Sequence, residues 1–156
     1  MSSLGQARLV FHGAVVLLLS LLCGFPLFLA LQQGWSDEAI RFWRSAHLGL
    51  SVVGIWSIAT GAALGFLVLD ERRIAILAWS VIVSNYTISV AILIRAVALH
   101  LGIAVLGSPF AQIVALCRNA SAATGLVAVL VTVRGGAQAV RAVKRHLAGA
   151  ASRTSP

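Results

Sequence analysis

Apolar positions dominate four long stretches of the chain: Leu9 to Leu31, Ala46 to Leu69, Ile74 to Ile94 and Phe110 to Val133. Each is long enough to cross a hydrocarbon core about 30 Å thick. Polar residues collect between the stretches, in "QQGWSDEAIRFWRS", "LDERRI" and "HLGIAVLGSPF". The pattern predicts an all-α membrane protein: a four-transmembrane-helix bundle in residues 1–133, followed by a basic tail at 134–156. The short connections leave no room for a further domain.

Local signals refine these elements. Pro26 falls near the end of the first helix, where a kink is tolerated if neighbours satisfy the freed carbonyl. Trp35, Phe42 and Trp43 suit a membrane–water interface. Asp37 and Glu38 fit the first turn of helix 2, where the helix dipole favours negative charge. Pro109 is placed to open helix 4. The tail starts with Gly135 and Gly136, and its Ala/Val and Arg/Lys spacing predicts a short interfacial helix that then frays. The first stretch is not read as a cleaved signal. It outlasts the usual apolar core of about 7–15 residues and lacks a small-residue cleavage site.

Composition agrees: the chain is 60% hydrophobic and only 10% charged, against roughly 25% charged in soluble domains. The net charge of +8 is unevenly distributed. Arg8, Arg72, Arg73, Arg134, Arg141, Lys144, Arg145 and Arg153 fall on one side of a four-span topology, and Arg41 and Arg44 on the other. The positive-inside bias then predicts cytoplasmic termini, in a bacterial-type inner (plasma) membrane. Anionic membrane lipids are expected partners of the tail. Topology accounts for the basicity, so nucleic-acid binding is not expected. Cys23 and Cys117 lack metal-site spacing and read as small buried residues.

Polar groups within apolar helices need a partner or a use. In helix 2, His47, Gly54 and Gly61 recur at heptad spacing, with Ser51 and Gly65 beside them. Such a face admits close approach by another helix or by a flat ligand. His12 is the second imidazole at membrane depth, expected on the order of 20 Å or more from His47 along the normal. His100 and His146 fall in loop and tail. Arg118 lies deep in helix 4, and Arg95 ends the apolar part of helix 3. The four acids, Asp37, Glu38, Asp70 and Glu71, all sit at helix ends or loops, so either arginine suits a bound anion or snorkels to the headgroups. Asn85 and Tyr86 lie mid-helix in helix 3, placed to bond another helix or a ligand.

No nucleophile elbow, phosphate-binding loop or zinc-protease motif occurs, and no helix carries a buried acid. Imidazole, guanidinium, amide and phenol remain, a set better suited to holding a cofactor than to catalysis alone. The open alternatives are a cofactor enzyme, a b-type haem electron carrier or sensor, and a cofactor-free structural or transport protein.

The order of features resembles the styrene oxide isomerase family of small four-helix membrane enzymes. The resemblance rests on "FHGAVVLLLSLLCG" in helix 1, on "WRSAHLG" followed by Gly54 in helix 2, and on Trp79 in helix 3. It implies haem b held by His47 as axial iron ligand, in a homotrimer with haems between neighbouring subunits. Arg44, Ser51, Gly54 and Arg118 would then contact the cofactor. Asn85 or Tyr86 would orient a small hydrophobic epoxide. In this family ferric iron acts as a Lewis acid, the epoxide opens, and a 1,2-shift gives a carbonyl compound without consuming electrons. Two positions depart from the family pattern: Val53 replaces an asparagine, and Leu77 replaces an aspartate two residues before Trp79.

Overall fold

A computed structural model describes residues 4–101, 103 and 109–153. Among them are four long helices: α1 (Leu4–Gln32), α2 (Asp37–Ala63), α3 (Glu71–His100) and α4 (Pro109–Arg153), with a short 3-10 turn at Leu64–Phe66 after α2. All four are long and apolar enough to span a membrane. Most of the connection between α3 and α4 lies outside the described residues.

α1, α3 and α4 outrun their apolar stretches, whereas α2 starts early and ends at Ala63, short of Leu69, for local reasons. α2 begins nine residues before Ala46. The Ser36 hydroxyl accepts a hydrogen bond from the Ala39 backbone at 3.3 Å, and Asp37 and Glu38 occupy the dipole-favoured first turn. Gly34, with φ +64°, supplies the left-handed turn between α1 and α2. Asp70 caps α3 by accepting from the Arg73 backbone at 2.8 Å. α1 continues through Pro26. α4 opens on Pro109 and runs unbroken through Gly135 and Gly136 to Arg153. The tail is therefore not a separate short helix after the glycines but the continuation of α4. Gly135 is buried against Leu67 and Leu69, and this packing holds the helix straight where glycine alone would favour a break.

The bundle is built from two hairpins. α1 and α2 approach closely: a Cβ on Gly54 would meet Leu17 Cγ at 2.7 Å and the Gly13 carbonyl oxygen at 2.9 Å. Further along, Gly61 lies against Leu9 and Val10, and the Ser57 hydroxyl donates to the Leu9 carbonyl at 2.9 Å. α4 packs along α3, where the Ser84 hydroxyl donates to the Ser121 carbonyl at 3.0 Å. It has the least buried apolar window of the four helices. The hairpins meet at two clusters. Leu9, Leu64, Leu77, Ala78, Val81, Ile82 and Ala128 fill one end. Val16, Cys23, Trp43, Ala46, Leu50 and Ala96 fill the other.

Trp43 is 8% exposed and packs inside the second cluster. Two expectations change here. His100 is not in a loop: it ends α3, and its ring lies 4.8 Å from that of Trp35. The small face of α2 is not an open approach surface. Gly54 and Gly61 are covered by α1 of the same chain, because an antiparallel hairpin brings these helices together before any ligand or second subunit can use the face.

Candidate functional site

His47 is half-buried on the side of α2 that faces α1. Its Nδ1 lies 2.9 Å from the Ser20 carbonyl oxygen and 3.3 Å from the Ser20 hydroxyl. A backbone carbonyl only accepts, so this contact assigns the proton to Nδ1. Nε2 then carries the free lone pair, and it has no hydrogen-bond partner among the described residues. The ring rests over Gly24, where a Cβ would stand 3.4 Å from Nδ1 and 3.5 Å from Cε1. Serine hydroxyls close the other side. Ser20 Oγ donates to the His47 carbonyl at 2.7 Å, Ser51 Oγ donates to the same oxygen at 2.9 Å, and the two hydroxyls are 2.7 Å apart.

An imidazole anchored through Nδ1–H to a carbonyl, with Nε2 free, is the arrangement in which histidine ligates a metal. The second-shell bond fixes tautomer and ring orientation. Among the described residues no three His, Cys, Asp or Glu side chains gather to hold a metal ion. A single histidine therefore suits a metal that arrives with its own equatorial ligands.

The expected site residues divide. His47 and Ser51 are brought together. Arg44 precedes His47 by three residues, on the exposed side of the same helix face. Gly54 is buried at the α1 crossing, so it admits a helix backbone rather than a flat ligand. Arg118 is exposed on α4 rather than buried. α4 packs against little but α3, which leaves most of its surface uncovered in the single chain.

Asn85 and Tyr86 part company on α3. The Tyr86 hydroxyl is 2.9 Å from His12 Nδ1, with the rings edge to face at 5.6 Å. This bond ties the two hairpins together. Asn85 is 1% exposed, and its Nδ2 has no partner among the described residues. Among the described residues neither side chain hydrogen-bonds His47. Leaving an amide N–H unpaired in an apolar interior costs about 1–3 kcal/mol, so Asn85 is a donor waiting for an acceptor. His12 precedes Ser20 by eight residues and Gly24 by twelve on α1, which sets it about 12–18 Å along the helix from the His47 ring, too far for both to hold one metal.

Sequence reasoning missed Ser20 and Gly24. The only signal was their i, i+4 spacing inside "SLLCG", which has no meaning until α2 is docked against α1. Val53 and Leu77, the two departures from the family pattern, are partly and fully buried in the two clusters. At these positions the chain has apolar packing where the pattern has polar groups.

No match to this chain is found among curated proteins. The family model for styrene oxide isomerase matches residues 5–137, which spans α1 from its second residue, all of α2 and α3 and most of α4. With four membrane-length helices and this match over most of its length, the chain belongs to the styrene oxide isomerase family.

Proposed function

We propose that this membrane isomerase of the styrene oxide isomerase kind opens a small hydrophobic epoxide to a carbonyl compound, using haem b ligated by His47. The observation that carries the reading is the Nδ1 contact of His47 with the Ser20 carbonyl at 2.9 Å, which leaves Nε2 free for iron. Ferric haem would supply Lewis acidity toward the epoxide oxygen, with no electron consumed.

The chain's own residues would do the rest. Ser20 and Gly24 hold the imidazole in one tautomer and one orientation. Arg44, on the same open side, is placed to meet a propionate. Asn85 offers an amide N–H to an oxygen acceptor, and it takes over the orienting role from Tyr86, whose hydroxyl is held by His12. The apolar surroundings keep water from trapping an electron-poor carbon as a diol. The environment of His47 does not supply a second axial histidine, which disfavours the electron-carrier alternative.

A homotrimer with both termini cytoplasmic remains part of this proposal, on a different support than the sequence suggested. The small stripe of α2 is used within the chain. On α4, however, Leu126, Val133, Val140 and Leu147 recur every seven residues, with Val129 and Val143 between them, and all are exposed. Arg134, Arg141 and Arg145 lie off this stripe. Such spacing suits packing against the same helix of another copy.

The test is purification in mild detergent followed by absorption spectroscopy and turnover of aryl and terpenoid epoxides. A Soret band and carbonyl product without added reductant support the proposal. A colourless, inactive protein after haem loading, or six-coordinate iron that exchanges electrons and turns over no epoxide, overturns it.

A further inference from the structure

We propose that the cleft between α2 and α3 at the Arg41 end of the bundle binds an anionic phospholipid, with Arg41 and Arg95 on its phosphate. The cleft has a volume of about 300 Å³ and is lined by Arg41, Phe42, Ser45, Ala46, Ile92 and Arg95. Two guanidiniums and a hydroxyl thus share one depression with three apolar side chains. That division matches an amphiphile with an anionic head and a hydrocarbon tail.

Among the described residues neither arginine has an ion-pair partner. Asp37 and Glu38 precede Arg41 by one turn, yet the ion pair found among the described residues is Arg73–Asp70, at the other end of α3. The Arg95 guanidinium lies 5.4 Å from the Phe42 ring centroid, a cation–π contact that fixes its position without cancelling its charge. Two like charges around one low-dielectric depression repel unless an anion joins them. Arg41 is four residues into α2 and Arg95 five residues from the end of α3, which places both near the headgroup level. A phosphate between two guanidiniums accepts charge-assisted hydrogen bonds from both.

The cleft is separate from the His47 site. His47 faces α1, whereas Ala46 lines the cleft and Gly49 meets Ile92 of α3, around the other side of the same helix. The proposal therefore stands whether or not haem binds. A lipid seated there would clamp α2 to α3 next to the residue that precedes His47.

The experiment measures thermal unfolding of the delipidated full chain in detergent, with phosphatidylglycerol, phosphatidylcholine or inorganic phosphate added. Phosphatidylglycerol is expected to raise Tm by several degrees, and neither other addition is expected to. The shift should fall by at least half in Arg41→Gln and in Arg95→Gln, and native mass spectrometry should show bound phosphatidylglycerol lost from both. An equal response to phosphatidylcholine overturns the proposal, as does an undiminished shift in both variants. An equal response to inorganic phosphate overturns the lipid assignment. Loss of the Soret band in both variants with the phosphatidylglycerol shift intact would assign the arginines to a cofactor carboxylate instead. Because the wild-type titration needs no variant, poor folding of a variant does not block the answer.

Discussion

The Nδ1 atom of His47 on α2 lies 2.9 Å from the carbonyl oxygen of Ser20 on α1, and the imidazole rests over Gly24 one turn further along α1. One helix thus supplies the ring and its neighbour fixes the orientation. His47→Ala is expected to abolish the Soret band of haem-loaded protein, while His12→Ala retains it. Difference spectra at matched protein concentration check this.

Gly24 separates packing from ligation. A methyl group there meets the imidazole at ordinary contact distance, so Gly24→Ala should keep the cofactor. Gly24→Leu should push the ring off the Ser20 carbonyl and weaken haem affinity roughly 10–100-fold, the usual effect of losing a supporting contact at a metal ligand. Haem titration of the two variants gives the comparison.

Asn85 is buried with a free Nδ2. Replacing it by leucine removes a buried polar group without opening a large cavity. Asn85→Leu is therefore expected to leave stability unchanged or slightly raised. Epoxide turnover should drop roughly 100–1,000-fold, as when one donor to a developing negative charge is removed. Unfolding curves and kcat/KM on the same preparation test both halves. A loss of stability with unchanged turnover would return Asn85 to a purely structural role.

Tyr86 bonds His12 across the two hairpins. Tyr86→Phe should cost about 1 kcal/mol of stability, the usual worth of one hydrogen bond, and leave the Soret band in place. If turnover collapses while Tm holds, the phenol orients substrate after all.

The exposed stripe of α4 predicts its own chemistry. In a background lacking Cys23 and Cys117, Val140→Cys and Leu147→Cys should form disulfide-linked dimers on mild oxidation in membranes. Arg141→Cys and Arg145→Cys, which lie off the stripe, should do so far less. Equal cross-linking at all four positions would argue against a seam between copies.

The sequence by itself determined the membrane class and the four helices, and it singled out His47 as a polar group at depth. Each of these follows from a local property. An apolar stretch of more than twenty residues has few other stable states, and a polar residue within one is conspicuous wherever the helix goes. Helix boundaries were less legible, because Ser36 and Asp70 extend α2 and α3 by capping into polar sequence that hydropathy reads as loop.

Only the tertiary structure decided what each polar group faces. The small residues of α2 could serve a ligand, another subunit or α1, and heptad spacing is the same for all three. The hairpin gave them to α1. Ser20 became the partner of His47 because two antiparallel helices cross at that level, a relation between residues 27 positions apart. Tyr86 bonds a histidine 74 positions away for the same reason. Arg41 and Arg95 show no relation along the chain, yet they line one cleft. Helical periodicity determines which residues share a face, but the contact made by that face is set by packing between helices, and this information is not local.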